Sequence, residues 1–290
     1  MIDFFQLLIY GAVLGSIIVL GAIGLSLTYG ILGFANFAHG DTMTVGAYLA
    51  LLFKVGLGWP FWAALPVAMA CTAALAVVID KSLYERLRGR GGVTLLIASV
   101  GVALILRNVV QAIWGPDTHF FNQGIQLPMR IWGLRVKPDH LTIAGVALAL
   151  VVGVHLFLRY TKLGKAMRAM ADNPELARVS GIDTGRVVAW TWALGSALAA
   201  AAGALLGLDT QLSPQMGWNI LLPVFAAVIL GGIGSPYGAM AGGMIIGIAQ
   251  ELSTLVVSTA YKPVVAFVLM ILILLVRPTG IFNTKGSVKF

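Results

Sequence analysis

The chain has 290 residues, 59% of them hydrophobic and only 10% charged, with a mean hydropathy of +0.94. Soluble domains carry about 25% charged residues, so this composition excludes a water-soluble fold and, equally, a disordered chain. The single cysteine, Cys71, excludes a disulfide framework and a thiolate zinc site, and the net charge of +8 reads as the Lys and Arg excess of loops on one side of a membrane rather than as a nucleic-acid surface.

Uncharged stretches between clusters of charge mark the spans of an all-α integral membrane protein. No Asp, Glu, Lys or Arg occurs between Asp3 and Asp41, a stretch of 37 residues. As one straight helix it would measure about 55 Å, against about 30 Å of hydrocarbon. A span over Leu7–Tyr29 is therefore expected, then a break over Gly30–Gly40 and a shorter helix over Asp41–Phe53. Further segments are expected at Phe61–Ile79, Val93–Trp114, Leu141–Leu158 and Val187–Gly207. The uncharged run from Thr210 to Gln250 is interrupted by Pro214, Pro223 and the turn Gly231-Gly232-Ile233-Gly234-Ser235-Pro236. It divides into Asn219–Leu230 and Gly238–Val257. A last span over Pro263–Val276 is short, so Lys262 and Arg277 are expected to snorkel. The expectation is a polytopic bundle of eight to ten segments, nine by this division, with broken or re-entrant helices, forming a single domain over residues 1–290.

Thirteen basic residues fall in 81–92, 159–186 and the tail after Val276, against five on the opposite side: Lys54, Arg130, Arg135, Lys137 and Lys262. The positive-inside rule then places the N-terminus outside and the C-terminus in the cytoplasm. Met1-Ile2-Asp3 has no basic leader, so the first span is expected to be retained. Small residues recur four apart at Gly11/Gly15, Gly203/Gly207, Gly238/Gly242 and Gly243/Gly247, a spacing that lets helix backbones approach closely in lipid.

No catalytic constellation stands out. The four histidines lie on separate segments, and no zinc-protease, nucleophile-elbow or phosphate-loop pattern occurs. Gly164-Lys165 is followed by Ala166, with Arg159 where the first glycine of a phosphate loop would stand, so the chain has no ATP loop of its own. Ionisable groups at membrane depth are functional candidates by default. Arg107 is either such a group or an interfacial arginine. Glu251 serves either a pathway or a buried hydrogen bond. The break at Gly30–Gly40 carries Asn36, His39 and Asp41. Irregular backbone at this depth survives only in protein or beside water. The break is thus either an ordinary tight loop or the wall or support of a translocation route, with Asp41 opening and capping the next helix.

The segment 159–186 is the strongest local signal. Asn173 is a favourable N-cap, Pro174 suits the first turn, Glu175 suits the positive end of the helix dipole, and Gly181 ends the helix. A short capped helix outside the membrane is expected, either resting on lipid or docking another protein. Leu176 and Val179 would share one face, with Arg168 and Glu175 nearby.

Three motifs resemble one family. Gly33-Phe34-Ala35-Asn36-Phe37-Ala38-His39-Gly40 with Val45-Gly46-Ala47-Tyr48 is similar to the early signature of the branched-chain amino acid ABC transporter permeases. Gly164-Lys165-Ala166-Met167-Arg168-Ala169, Asn173-Pro174-Glu175-Leu176-Ala177 and Gly181-Ile182 resemble its ATPase-docking loop, which sugar permeases share. Leu230-Gly231-Gly232-Ile233-Gly234-Ser235 with Gly238-Ala239 and Gly242-Gly243 resembles its late motif. The short N-terminus is similar to the smaller of the two permease types. The resemblance implies a non-enzymatic permease subunit of an importer in a bacterial inner membrane. It would pair with a second, homologous permease, with two ATP-binding cassette subunits that hold ATP and Mg, and with a periplasmic substrate-binding protein. The implied substrates are leucine, isoleucine and valine, with urea, short amides and other amino acids as alternatives. Asn36, His39, Asp41 and Glu251 would serve translocation. Arg168, Asn173, Pro174, Glu175, Leu176 and Val179 would serve ATPase docking. A self-sufficient secondary transporter or channel is the competing reading; it would need a coupling-ion site and no ATPase.

Overall fold

Helices account for almost all of the structure, a computed structural model that describes residues 2–122, 128–131, 133–277 and 279–282. Among the described residues nine apolar helical segments build the bundle: α1 (Ile2–Leu32), α2 (Ala38–Leu51), α3 (Phe61–Ile79), α5 (Gly92–Trp114), α6 (Pro138–Tyr160), α9 (Thr184–Asp209), α10 (Met216–Gly231), α11 (Pro236–Leu252) and α12 (Lys262–Val276). Six stretches among the described residues are long and apolar enough to cross a membrane, and α2, α10 and α11 are the shorter members. The protein is thus the multi-pass helical membrane protein that the uncharged runs predict.

The break between the first two helices is shorter than expected, Gly33 to Phe37 only. Gly33 has φ +71°, a conformation that ends a helix, and its N–H still donates to the Tyr29 carbonyl. The other glycines of the stretch are not breakers. Gly30 packs on Gly234, where a Cβ would be tight, and Gly40 on Gly217, where a Cβ would strike the backbone. Glycine density therefore overstates the irregular backbone.

Close backbone approach organises the centre. α1 and α11 run antiparallel through the spaced glycines: a Cβ on Gly247 would strike the Gly15 backbone, and one on Gly243 would sit 2.9 Å from Val19 Cα. On α9, Gly203 lies against the Met43 carbonyl of α2, and Ala200 lies against Gly46. Gly195 meets Gly24 of α1. These crossings bury Ile17, Leu20, Ile23, Met43, Leu198 and Leu205 in one continuous core.

The two ends of the bundle differ. At one end α3 continues as helix through a π turn at Asp80–Tyr84, α4 (Glu85–Leu87) and a 3-10 turn at Arg88–Arg90, so the basic stretch expected as a loop is a helical extension. Tyr84 stacks on Trp192 at 5.0 Å beside Phe34, and Arg88 pairs with Asp80. Two helices follow α6 here, α7 (Lys162–Asp172) and α8 (Pro174–Val179). Only the second was expected. α7 buries Gly164, Met167 and Met170 on one face, and Thr161 Oγ1 caps it by accepting the Gly164 N–H. The chain after α12 returns to this end, where the Ile281 and Phe282 N–H groups donate to the Leu230 and Gly231 carbonyls. Lys285 and Lys289, counted with the basic tail, lie outside the described residues.

At the opposite end an unexpected hairpin, β1 (Met129–Ile131) with β2 (Leu134–Val136), departs from the all-helical expectation. The Gln6 amide ties it to the start of α1 through both the Arg135 carbonyl and N–H.

Candidate functional site

The start of α2 is a buried polar node. Asn36 Oδ1 accepts the Ala38 N–H at 3.1 Å and the Asn36 carbonyl accepts the His39 N–H, so the helix begins at Ala38, three residues before the expected Asp41. Phe37 is the N-cap residue, and the side chain that accepts the first helical N–H is that of Asn36, not of the expected Asp41. Ser99 of α5 accepts the Phe37 N–H at 3.0 Å. His39 Nε2 carries its proton to the Gly21 carbonyl of α1 at 2.9 Å. Asp41 receives two charged hydrogen bonds from Arg107 of α5, Nε to Oδ1 at 2.9 Å and Nη2 to Oδ2 at 3.0 Å. The Arg107 guanidinium also lies 4.9 Å from the Trp218 ring of α10. Arg107 is therefore neither snorkelling nor alone. Asn36, His39 and Asp41 are all buried. Through these contacts, and the contact of Arg107 with Trp218, α2 is tied to α1, α5 and α10.

Glu251 does not join this node. α11 ends at Leu252, not at Val257, because the chain turns into a 3-10 segment at Ser253–Leu255. Glu251 thus sits in the last helical turn, where Lys262 Nζ donates to its Oε1 at 2.7 Å. The Lys262 carbonyl accepts the Gln250 Nε2–H at 3.1 Å. The lysine expected to snorkel is held by these two contacts to α11. Beside it opens a cleft of about 610 Å³ between α1, α10, α11, α12 and the loop after α9.

The docking candidates cluster at the far end. Asn173 Oδ1 accepts the Glu175 and Leu176 N–H groups at 3.1 and 3.0 Å, and Pro174 occupies the first helical position. Gly181 has φ +83°, and its N–H returns to the Arg178 carbonyl. Ala177 is the buried residue of α8; Leu176 and Val179 are 63% and 85% exposed. Glu175 and Arg168 are also exposed, the latter one helix earlier on α7. The expected constellation is thus three separate groups: the α2 node, the Glu251 pair and the α8 surface. Sequence reasoning missed Lys262 and Arg107 as the partners of Glu251 and Asp41. It also missed the cleft.

The fold and these sites define a multi-pass membrane permease built on interrupted and close-crossing helices. The chain belongs to the family described as branched-chain amino acid transport system / permease component, whose sequence model matches residues 7–274. It is 37% identical to the high-affinity branched-chain amino acid transport system permease protein LivH of Escherichia coli strain K12, over 97% of this chain and 96% of that protein. It is 34% identical to the corresponding protein BraD of Pseudomonas aeruginosa, with the same coverage of each chain. Among solved structures, PsaBC from Streptococcus pneumoniae in complex with Fab shares the fold, at TM-score 0.51 and 15% identity, covering 95% of this chain and 92% of that one.

Proposed function

We propose that this protein is the smaller permease subunit of an ABC importer for branched-chain amino acids in a bacterial inner membrane. The full-length similarity to LivH carries the reading. The α8 surface supports it: two large apolar side chains stand in the open on a capped helix outside the spans, an arrangement that a partner would cover. In this proposal the α8 end faces the cytoplasm, as its basic residues favour, and the hairpin end faces the periplasm. Leu176 and Val179 enter a groove of an ATP-binding subunit, with Glu175 and Arg168 at the rim. Asn173 and Pro174 hold the helix rigid. ATP and Mg are bound by two such subunits. A second, homologous permease completes the channel, and a periplasmic binding protein delivers substrate. Asn36, His39 and Asp41 act by fixing the half-length helix α2 beside the route.

The test is reconstitution. The four components, in proteoliposomes with internal ATP, should take up labelled leucine, isoleucine and valine, and urea or acetamide should not compete. Uptake without the ATP-binding subunits would replace this reading with that of a secondary transporter. Truncating a buried interface anchor costs about 2 kcal/mol or more, roughly thirtyfold in affinity. Leu176→Asp adds an unpaired charge, so it should release the ATPase on purification and abolish uptake while the permease still inserts. Wild-type uptake by Leu176→Asp would overturn the docking assignment.

A further inference from the structure

Among the described residues three hollows stand out. One, of about 380 Å³ at the end of α2, is walled by Leu51, Val55, Trp114 and His119 and holds no acid or permanent cation. A second, of about 70 Å³ between α1 and α7, is apolar apart from Ser26, Arg168 and Tyr237. The third is the cleft beside Lys262. Its 610 Å³ lies within the roughly 300–1,000 Å³ of small-molecule sites, and it combines both signs of charge with an apolar wall.

The wall is built for an amphoteric guest. Asp209 ends α9, with its carboxylate 3.5 Å from His140 Nε2 and its side chain 21% exposed. Asn219 stands on α10, one turn before Pro223. Proline has no N–H, so the Asn219 carbonyl lacks its usual helical donor, and Asn219 lines the cleft. Lys262 is 27% exposed and is held by Glu251, and Lys137 faces the same space from the start of α6. Leu14 and Ile220 supply the aliphatic lining. Acceptors therefore come from α9 and α10, cations from α6 and α12, and a dry surface from α1 and α10.

We infer that this cleft is a binding site for a free α-amino acid zwitterion with an aliphatic side chain. Asp209 and Asn219 receive the ammonium group, Lys262 and Lys137 the carboxylate, and Leu14 and Ile220 the side chain. The site lies within this one chain, at the end where substrate arrives, and Glu251 serves it by orienting Lys262. The inference rests on the importer reading and deepens it: the permease itself selects for both charges of its substrate, independently of the delivering protein.

The experiment uses the complete permease–ATPase complex in nanodiscs without the binding protein. Gln211, on the cleft rim, is replaced by cysteine in a Cys71→Ser background and modified with a charged methanethiosulfonate. At ten times the leucine concentration that gives half protection, modification should slow about tenfold. Isoamylamine, which lacks the carboxylate, and 4-methylpentanoate, which lacks the ammonium group, should not protect at that concentration. Asp209→Asn should remove the protection by leucine. Absence of protection up to the solubility of leucine, or equal protection by either singly charged analogue, overturns the site. ATP-driven leucine uptake by the same complex with binding protein separates the two claims. Uptake without protection removes this site and leaves the importer reading standing, whereas neither uptake nor protection removes both.

Discussion

The Asp41–Arg107 pair is the most direct place to weigh the α2 node. Asp41 is fully buried and accepts both of its charged hydrogen bonds from Arg107. Removing one partner of a buried pair costs about 3–5 kcal/mol, because the other charge is left uncompensated. The two deletions are not equivalent. In Asp41→Asn the guanidinium keeps the Trp218 face and partial exposure, so the loss should lie near the lower bound, about 3 kcal/mol or roughly 160-fold in the folding equilibrium. In Arg107→Met the carboxylate has no exposed surface to retreat to, and the loss should approach about 5 kcal/mol. Asp41→Leu with Arg107→Met removes both charges and should regain most of the stability. Reversible denaturation of the detergent-solubilised permease by SDS, followed by tryptophan fluorescence, measures all three. Asp41→Asn within about 0.5 kcal/mol of wild type, or a double variant as weak as the sum of the singles, would refute the pairing as the node's main tie. Uptake by the double variant then assigns the role. Transport at the wild-type rate per folded molecule makes Asp41 a support of α2, and a folded protein that does not transport makes its charge part of the route.

Two further outcomes follow from packing and capping. Gly203→Ala should destabilise the permease by about 1–3 kcal/mol, because its methyl would meet the Met43 carbonyl, whereas Gly101→Ala has open space around it and should gain up to about 1 kcal/mol of helix propensity; the same SDS denaturation compares them, and equal effects would contradict the close crossing of α2 and α9. Asn173→Ala should cost about 1 kcal/mol of local α8 stability, seen as faster amide exchange over 174–179 with the spans unchanged, and unaltered exchange would remove Asn173 as the cap.

The spans were readable because a membrane imposes one requirement, a long uncharged helical run, and charge clusters punctuate the sequence wherever that requirement lapses. Nine segments expected from those runs correspond to α1, α2, α3, α5, α6, α9, α10, α11 and α12. The α8 cap was readable for a different reason. Asn173, Pro174, Glu175 and Gly181 act through bonds only a few residues long, so their chemistry is complete in the sequence. Glycine was ambiguous. Gly33 ends a helix, whereas Gly30 and Gly40 sit inside helices at contact points with other chain segments, and nothing in one sequence distinguishes the two uses. α7 was missed although its signals are local, Thr161 ahead of Gly164, Met167 and Met170 at helical spacing, because the stronger Asn173-Pro174 signal stood beside it.

Charge partners were not readable, and the reason bears on function. Asp41 meets Arg107 across 66 positions of sequence, and Asp209 meets His140 only once α9 and α6 have packed. Asp41 and Arg107 looked like lone ionisable groups in apolar runs, and lone groups at membrane depth invite a transport role; Asp209 was not singled out at all. The structure separates them by surroundings. Asp41, His39 and Asn36 are enclosed by protein and hold helices together. Asp209 and Lys262 each keep part of their surface on an open cleft, Lys262 held by Glu251 and Asp209 3.5 Å from His140. A carboxylate that is both oriented and accessible can exchange its partner for a ligand at small cost, because its neighbour has already restricted it and water still reaches it. A carboxylate sealed against an arginine cannot do so without first breaking a buried pair. By that criterion Asp209 and Lys262 are the candidates for contact with a ligand, and the enclosed contacts of His39 and Asp41 tie α2 to α1 and α5.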